Sequence, residues 1–386
     1  MKKAVMTEIA EAITSLKELY DDRVIDFLAG LYDPVTGGIY YSYSAQQTEG
    51  YLPDVESTAQ TLLALDTFCP DGRTAGDYLP SDFSEKLVRW VQGLEDPEDG
   101  YFYHPQWGKG VNSSRKGRDL GWSRGLLRRF GATALYPTAI DRLTQADDSK
   151  QTLPEYLQSE EAFLQWLKDL PWDVHPYSAG NSINAIAGQM EAAGYVQTAV
   201  DYLRSIQNPA TGLWGEGVNY NTVSALMKVA PVYNSAGTEL EYAKEALRSC
   251  IDAALSPELS DKTQITFIYN PWCAINSLRQ ILEKQGAAPA WFDEMLYDNA
   301  AQMIRMTKVK LAVYKKADGG FSYMPDRSSA YSQGAPASLG TAEGDVNATT
   351  IAINGVLRNL NQCLGLPHEA AYGEEAVKRF AQTIAN

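Results

Sequence analysis

One short turn recurs along the 386-residue chain and constrains its fold more than any other feature. It first reads Asp33-Pro34-Val35-Thr36-Gly37-Gly38, and related turns begin at Asp96, Asn208 and Asp318. Proline fixes φ and glycine permits a left-handed exit, so each copy predicts a tight connection after a helix. The starts lie 63, 112 and 110 residues apart. Because the last two gaps are about twice 55, the spacing indicates a repeat of about 55–63 residues with two degraded copies.

Helical periodicity on both sides of these turns predicts pairs of helices. Outer helices are expected near residues 7–31, 84–95, 153–169, 191–207, 239–255 and 290–315, with a closing helix at about 369–384. More apolar inner helices are expected to begin near Asp54, Asp119, Tyr177, Tyr220, Asn270 and Asp345. One helix pair cannot bury its faces until its neighbours stack on it. The sequence therefore predicts an all-α protein in which residues 1–386 form a single (α/α)6 toroid with Gly-rich turns.

Two distant segments share the pattern D-V-[EN]-x-T, namely Asp54 to Thr58 and Asp345 to Thr349. Each aspartate can cap the free N–H groups of a following helix, where a negative charge also suits the helix dipole. The apolar run after Asp54 covers most of a helix circumference, which predicts burial on nearly all sides. Two copies so far apart indicate a closed architecture in which these helices are neighbours.

The repeat also resembles a known group of proteins. Residues 202–215, from Tyr202 to Gly215, resemble the QW-type repeat of terpenoid cyclases and protein prenyltransferases. The segment Gly37 to Tyr41, followed by Pro53 to Ala59, is similar to the stretch of squalene-hopene cyclases that ends in D-x-D-D-T-A. The resemblance implies an α/α toroid, with Glu56 where that family has its proton-donating aspartate. It does not extend to the Asp-Cys-His zinc set of the prenyltransferases.

Charge and motif content narrow the function classes. The formal charge is −15 and the pI is about 4.7, whereas nucleic-acid and anionic-membrane binders are normally basic. No stretch is long and apolar enough to span a membrane, and the N-terminus lacks the apolar segment of a signal peptide, so a cytoplasmic protein is expected. The four scattered cysteines fit no zinc framework. No nucleotide-binding motif is present, so neither a metal nor a cofactor is predicted.

The inner-helix N-termini of a toroid would surround one mouth, and polar and aromatic residues concentrate at these positions. The predicted substrate-binding residues are Tyr41, Arg118, Trp122, Arg124, Trp214, Asn219, Tyr269, Asn270, Trp272, Tyr323, Tyr331 and Asn347. Such a ring suits a polyhydroxylated ligand, which is bound by hydrogen bonds and ring stacking. If Arg118 and Arg124 point inward, they could bind a carboxylate, sulfate or diphosphate. The small, polar segment 324–344 is expected to form a mobile loop over the mouth.

These residues predict a glycan- or oligosaccharide-cleaving enzyme, by one of two reactions. Hydrolysis needs one protonated and one ionised carboxyl, for which Glu56, Asp54 and Asp345 are the candidates. Elimination needs a group that neutralises a uronate carboxylate and a base that removes the neighbouring proton. For that reaction the candidates are His175, Tyr177, Asn181 and Tyr220.

Two further interpretations of the sequence stay open. Glu56 could protonate an alkene in a terpenoid-cyclase-like isomerase, as the family resemblance implies. A toroid could also bind a peptide or another protein without catalysis. A small molecule or an oligosaccharide is the expected partner in the first interpretation, and the sequence makes no prediction of the oligomeric state.

Overall fold

The computed structural model describes residues 2–70, 72–139, 141, 155–366 and 373–385. The all-α prediction is confirmed for these residues, in which helices dominate and strands are limited to one short hairpin. The first eight helices are α1 (Lys2–Lys17), α2 (Asp22–Gly30), α3 (Tyr43–Gln46), α4 (Val55–Asp66), α5 (Ser81–Gly93), α6 (Ser113–Arg129), α7 (Glu160–Asp169) and α8 (Pro176–Ala185). Short 3₁₀ turns lie at Ala75–Asp77, Gly108–Gly110 and Glu155–Leu157.

The second half continues the alternation of outer and inner helices. It contains α9 (Ala187–Ala192), α10 (Val196–Ser205), α11 (Tyr220–Ala236), α12 (Ala243–Leu255), α13 (Thr266–Lys284), α14 (Ala290–Tyr314) and α16 (Glu374–Ala385). Helix α15 has three sections, Val346–Thr350, a π-helical Ile351–Arg358 and Asn359–Cys363. Strands β1 (Tyr331–Ser332) and β2 (Ala335–Pro336) form the hairpin. Residues 153–154 and 369–372 of two predicted helices lie outside the described residues.

The recurring turn has the same geometry at each of its first three positions. The carbonyls of Asp33, Asp96 and Asn208 accept the N–H of the glycine four residues later, at 2.9, 2.9 and 2.7 Å. Those glycines have φ values of +77°, +73° and +67°, a region that L side chains rarely adopt. The side chains of Asp33, Asp96 and Asn208 also accept the N–H two residues on. The sequence repeat is therefore a structural repeat.

Each turn glycine is pressed against another segment of the chain, which leaves no room for a side chain. A Cβ at Gly212 would lie 2.5 Å from the carbonyl oxygen of Tyr242, at the start of α12. A Cβ at Gly319 would lie 2.6 Å from the carbonyl carbon of Arg23, in α2. The last turn therefore packs on α2, near the start of the chain, whereas the third turn packs on α12, which follows it in the chain.

The two D-V-[EN]-x-T segments fold alike. Asp54 caps α4 by accepting the N–H of Glu56 at 2.9 Å, and Asp345 caps α15 by accepting the N–H of Ala348 at 2.7 Å. The threonines of both copies bind the residue that follows the preceding turn. The hydroxyls of Thr58 and Thr349 accept the N–H of Ile39 and Phe321 at 2.9 Å each. Helices α4 and α15 pack directly against each other.

The inner helices pack in the order α8, α11, α13, α15, α4 and α6, with each helix in contact with the next. Outer helices cover them, as α10 covers α11 and α5 covers α6, while α1 packs on α14 and α16 on α2. Buried apolar side chains from Ile9 to Phe380 form one contiguous core. Among the described residues, no helix is long and apolar enough to cross a membrane.

Several element boundaries differ from the sequence prediction; α7 and α12, for example, begin seven and four residues later than expected. The first outer helix is broken between α1 and α2, where Tyr20 turns inward and its hydroxyl donates to the carbonyl of Ala352 at 2.8 Å. Helix α6 begins six residues before Asp119, because the side chain of Asn112 accepts the N–H of Arg115 at 2.8 Å and caps the helix there. Helix α13 begins four residues before Asn270.

Candidate functional site

A buried group of charged side chains joins the starts of α4 and α6. The carboxylate–arginine cluster consists of Asp54, Glu56, Arg115, Arg118 and Asp119. Arg115 is fully buried, and its guanidinium donates to Asp54 at 2.6 Å, to Glu56 at 2.8 Å and to Asp119 at 2.7 Å. A buried guanidinium of this kind is stable only when its donors meet acceptors, and here three carboxyl groups provide them.

Glu56 lies at the centre of this cluster and has no exposed surface. Its Oε1 accepts from Arg118 at 2.6 Å and from Gln60 at 3.2 Å. Its Oε2 accepts from Arg115 at 2.8 Å and from the hydroxyl of Ser332 at 2.7 Å. Both carboxylate oxygens therefore act as acceptors, as in the ionised form of the group.

Asp119 completes the cluster with a different charge state. Its Oδ1 accepts from Arg115, while its buried Oδ2 has no partner among the described residues. Burial and the nearby charges of Asp54 and Glu56 raise the pKa of Asp119 to about 8, although Arg115 opposes this shift. Asp119 is therefore a carboxylic acid at neutral pH, which leaves two other acidic side chains to balance the two arginines of the cluster.

An aromatic loop supports the cluster from the side. His104 is buried, and its Nε2 is 2.7 Å from the carbonyl oxygen of Pro53, immediately before Asp54. The ring stacks on Trp107 with 3.9 Å between centroids, and Arg115 lies 4.8 Å from the centroid of the same indole. Burial lowers the pKa of His104. His104 is thus a neutral residue that positions the start of α4.

The β1–β2 hairpin brings a backbone segment into the cluster from the far end of the chain. Its two-residue turn, Gln333 and Gly334, has φ values of +50° and +84°, as a type I′ turn requires. Ser332 is buried, and its carbonyl accepts from Arg115 at 3.3 Å. The side chain of Asn112 donates to the carbonyl of Gln333 at 2.7 Å. The predicted mouth loop 324–344 thus contains a hairpin whose tip rests on α6.

Asp345, the counterpart of Asp54, lies in a different electrostatic environment. Its Oδ2 accepts the N–H groups of Tyr323 at 3.0 Å and of Ser329 at 3.2 Å. Burial raises its pKa to about 7, although the backbone donors oppose this shift. The hydroxyl of Tyr41 is buried and has no hydrogen-bond partner among the described residues. It lies close enough to Asp345 for the two groups to interact electrostatically.

A second, partly exposed set of side chains comes from four inner helices and the segment after the last turn. We call it the inner cluster: Arg118, Tyr177, Lys228, Tyr269, Cys273 and Tyr323. Burial raises the pKa of Tyr177, Tyr269 and Tyr323, the last to about 12, and Arg118 lowers all three by its charge. Lys228 Nζ lies 5.9 Å from the centroid of the Tyr177 ring. These side chains therefore lie near one another, and each keeps some exposure to solvent.

The remaining predicted residues fall into distinct environments. Trp214 and Trp272 are fully buried, and their indole N–H groups donate to the carbonyl of Leu203 at 2.9 Å and the hydroxyl of Thr307 at 3.0 Å. Asn270 is buried and donates to Ser224 at 2.7 Å. Tyr220 accepts from the buried Lys310. The two tryptophans and Asn270 are therefore part of the packed interior, and Tyr220 is half-buried beside them.

Other predicted residues lie at the surface or beside the clusters. His175, Asn181, Asn219 and Tyr331 are exposed, while Arg124 is 3.4 Å from Asp141. Trp122 is partly buried, with Arg118 6.0 Å from its ring centroid, and Asn347 accepts from Gln60 at 2.9 Å. Of the residues predicted for elimination, only Tyr177 belongs to the inner cluster.

The sequence prediction omitted two members of the inner cluster, Lys228 and Cys273. Lys228 had a detectable signal, because it is the only charged residue of α11 in an otherwise apolar and small-residue helix. Arg115 also had one, since it precedes Asp119 by four residues on the same helix face. Among the described residues, no group of three or more His, Cys, Asp or Glu could hold a metal ion.

Comparisons with protein-family models, with curated proteins and with solved structures found no match to this chain.

Proposed function

We propose that this protein is an enzyme that binds an acidic oligosaccharide against the inner cluster and cleaves it by β-elimination. The observation that carries the proposal is the position of Arg118. Its side chain keeps 36% of its surface exposed while it pairs with Glu56, and it lies among three phenols from other segments. A guanidinium beside several hydroxyl groups suits a ligand that carries a carboxylate and hydroxyls.

The chemistry of β-elimination assigns roles to these groups. Arg118 binds the uronate carboxylate and stabilises the negative charge that develops when the neighbouring C–H proton leaves. We assign the removal of that proton to Tyr177. Burial raises the pKa of its phenol and the charge of Arg118 opposes that rise only in part, so the reaction should become faster towards alkaline pH. Tyr323 stays protonated at neutral pH and gives its proton to the departing glycosidic oxygen. A C=C bond forms as the C–O bond breaks, and no water is consumed.

The proposal includes the closed (α/α)6 toroid. The inner helices already pack in an unbroken order from α8 round to α6, and Arg118 on α6 acts electrostatically on Tyr177 of α8, at the two ends of that order. The last turn also packs on α2. Spin labels at the exposed Gly121 of α6 and Ser178 of α8 test the closure, because a short distance is expected in a ring and a long one in an open array.

The geometry of Glu56 favours elimination over the hydrolase and cyclase alternatives. A general acid needs a proton to give, whereas both oxygens of Glu56 accept from cationic or neutral donors. Asp54 is also a poor general acid, because its side chain already caps α4 and pairs with Arg115. In this proposal Asp54, Glu56, Arg115 and Asp119 hold Arg118 in position, and these four residues do not touch the reacting atoms.

The direct test incubates the purified protein with uronic-acid oligosaccharides and with neutral oligosaccharides of matched length. Elimination produces an unsaturated uronide that absorbs in the ultraviolet, so the absorbance should rise with the acidic set alone. Tyr177→Phe should abolish that rise, while His175→Ala, at an exposed position on the same helix start, should keep it. New reducing ends without the absorbance would show hydrolysis instead, and binding without cleavage would support the non-catalytic alternative.

A further inference from the structure

Lys228 has an unusual environment for a lysine, since it is the only charged residue of α11 and lies in the apolar middle of that helix, between Met227 and Val229. Its side chain is only partly exposed, and among the described residues no carboxylate is near enough to affect its charge. Its stem passes close to Gly180 of α8, where a Cβ would lie 3.0 Å from the Cβ of Lys228. The packing therefore holds the lysine against α8 without a counter-ion.

Burial and a neighbouring cation both disfavour the charged form of Lys228. Burial lowers the pKa of Lys228, and the positive charge of Arg118 lowers it further, while Cys273 on α13 opposes the shift. Burial raises the pKa of Cys273 itself to about 11, so at neutral pH the thiol is uncharged and gives no thiolate to pair with the lysine. A desolvated lysine beside another cation is the arrangement that makes an amine nucleophilic.

We infer that Lys228 is a covalent site, whose amine forms a Schiff base with a ligand that carries an accessible aldehyde or ketone. The amine nitrogen adds to the carbonyl carbon, and the carbonyl oxygen takes up a proton to give a carbinolamine. The hydroxyl group then leaves with a proton as water, and the imine remains. Tyr177, whose ring centroid is 5.9 Å from Nζ, is the nearest phenol that could supply the proton to the departing hydroxyl. No oxidant or reductant enters this sequence.

The neighbouring Arg118 also selects among carbonyl compounds. A carboxylate attached to the carbonyl carbon would place its charge towards the guanidinium while the amine attacks. The ligand class is therefore a 2-oxo acid rather than a neutral aldehyde. This inference goes beyond the proposed elimination, because it gives a role to Lys228, which the elimination does not use, and because imine formation needs no glycosidic bond to cleave.

Reductive trapping on the intact protein tests the inference. The protein is incubated with glyoxylate and cyanoborohydride at about pH 7, and each modified lysine is located and quantified by peptide mass spectrometry. The exposed Lys244 and Lys262 are internal standards in the same sample. We expect Lys228 to be modified several-fold faster than either standard, and this excess should shrink towards about pH 10, where exposed lysines lose their protons.

Two comparisons make the result decisive. Propionaldehyde, which lacks the carboxylate, should modify Lys228 less selectively than glyoxylate does. Lys228→Met should remove that one modified peptide and leave the standards unchanged. Modification of Lys228 at or below the rate of Lys244 and Lys262 would overturn the inference, whether or not the protein cleaves uronides. If Lys228→Met does not fold, the ratio of rates within the unaltered protein still decides the matter.

Discussion

Replacing Asp119 with asparagine tests the charge balance of the carboxylate–arginine cluster. The substitution keeps an oxygen where Oδ1 accepts from Arg115 and puts an amide where the unpartnered Oδ2 now lies. Asparagine therefore has nearly the shape of the protonated aspartic acid. The difference is that asparagine needs no proton to be neutral, so only the pH dependence of stability should change strongly.

The magnitude follows from the pKa of Asp119, which is about 8 in the folded protein and has an ordinary value of 3.8. Between these values the folded state binds a proton that the unfolded chain has released, so unfolding becomes easier as the pH rises. At pH 7 the difference of about three pKa units corresponds to about 4 kcal/mol, at 1.36 kcal/mol for each unit. Asp119→Asn should therefore become more stable than the unaltered protein by about this amount between pH 4 and pH 7.

Urea denaturation followed by tryptophan fluorescence, at half-unit steps from pH 4 to pH 8, measures this difference. Asp261→Asn, at an exposed position, is the matched control and should leave the pH slope unchanged. If the two asparagine variants followed the same slope as the unaltered protein, Asp119 would be ionised in the fold and the assigned charge balance would be wrong.

Three other substitutions probe separate features. Arg115→Met leaves buried acidic side chains without their cation, so it should lower the free energy of unfolding by about 3–5 kcal/mol in urea denaturation. This loss should diminish at acid pH, and an equal loss at pH 4 and pH 7 would contradict the reasoning. Gly212→Ala should lower the free energy of unfolding by several kcal/mol, because the new Cβ would meet α12. The control is Gly131→Ala, at a glycine with almost the same φ but no atom within 4 Å of the new Cβ, and it should cost only about 1–2 kcal/mol. Equal losses would show that the contact with α12 is unimportant. Ser332→Ala removes a hydrogen bond to Glu56, so it should speed limited proteolysis within residues 324–344 several-fold. The control Val35→Ala, at an exposed turn position, should have no such effect. If the Ser332→Ala variant were cleaved at an unchanged rate, the hairpin would be held by its other contacts.

The sequence predicted those features that depend on local chemistry. The recurring turn could be interpreted from proline and glycine alone, and the capping roles of Asp54 and Asp345 follow from aspartate before an apolar run. The start of α6 was missed because residues 113–118 are polar and show no apolar period, so the helix had no visible face there. Asn112 was the available signal, since it is a strong N-cap residue.

The candidate site could be predicted only in part, because it depends on which way side chains point after packing. Arg115 meets Glu56 across 59 positions of chain, and Ser332 meets Glu56 across 276. No local pattern encodes these pairings. Trp214 was predicted at the mouth from its position after a turn, yet the same position sends its indole into the core, where Leu203 accepts its N–H.

The contact between the last turn and α2 has a consequence for the order in which the chain can fold. Gly319 packs on Arg23, and the N–H of Val346 donates to the carbonyl of Tyr41 at 3.0 Å, so early helices rest on segments about 300 positions later. During synthesis at about 5–20 residues per second, α2 would wait at least about 15 seconds for these partners. In the nascent chain, the face of α2 that the last turn covers therefore stays exposed throughout that time, including the ring of Phe27.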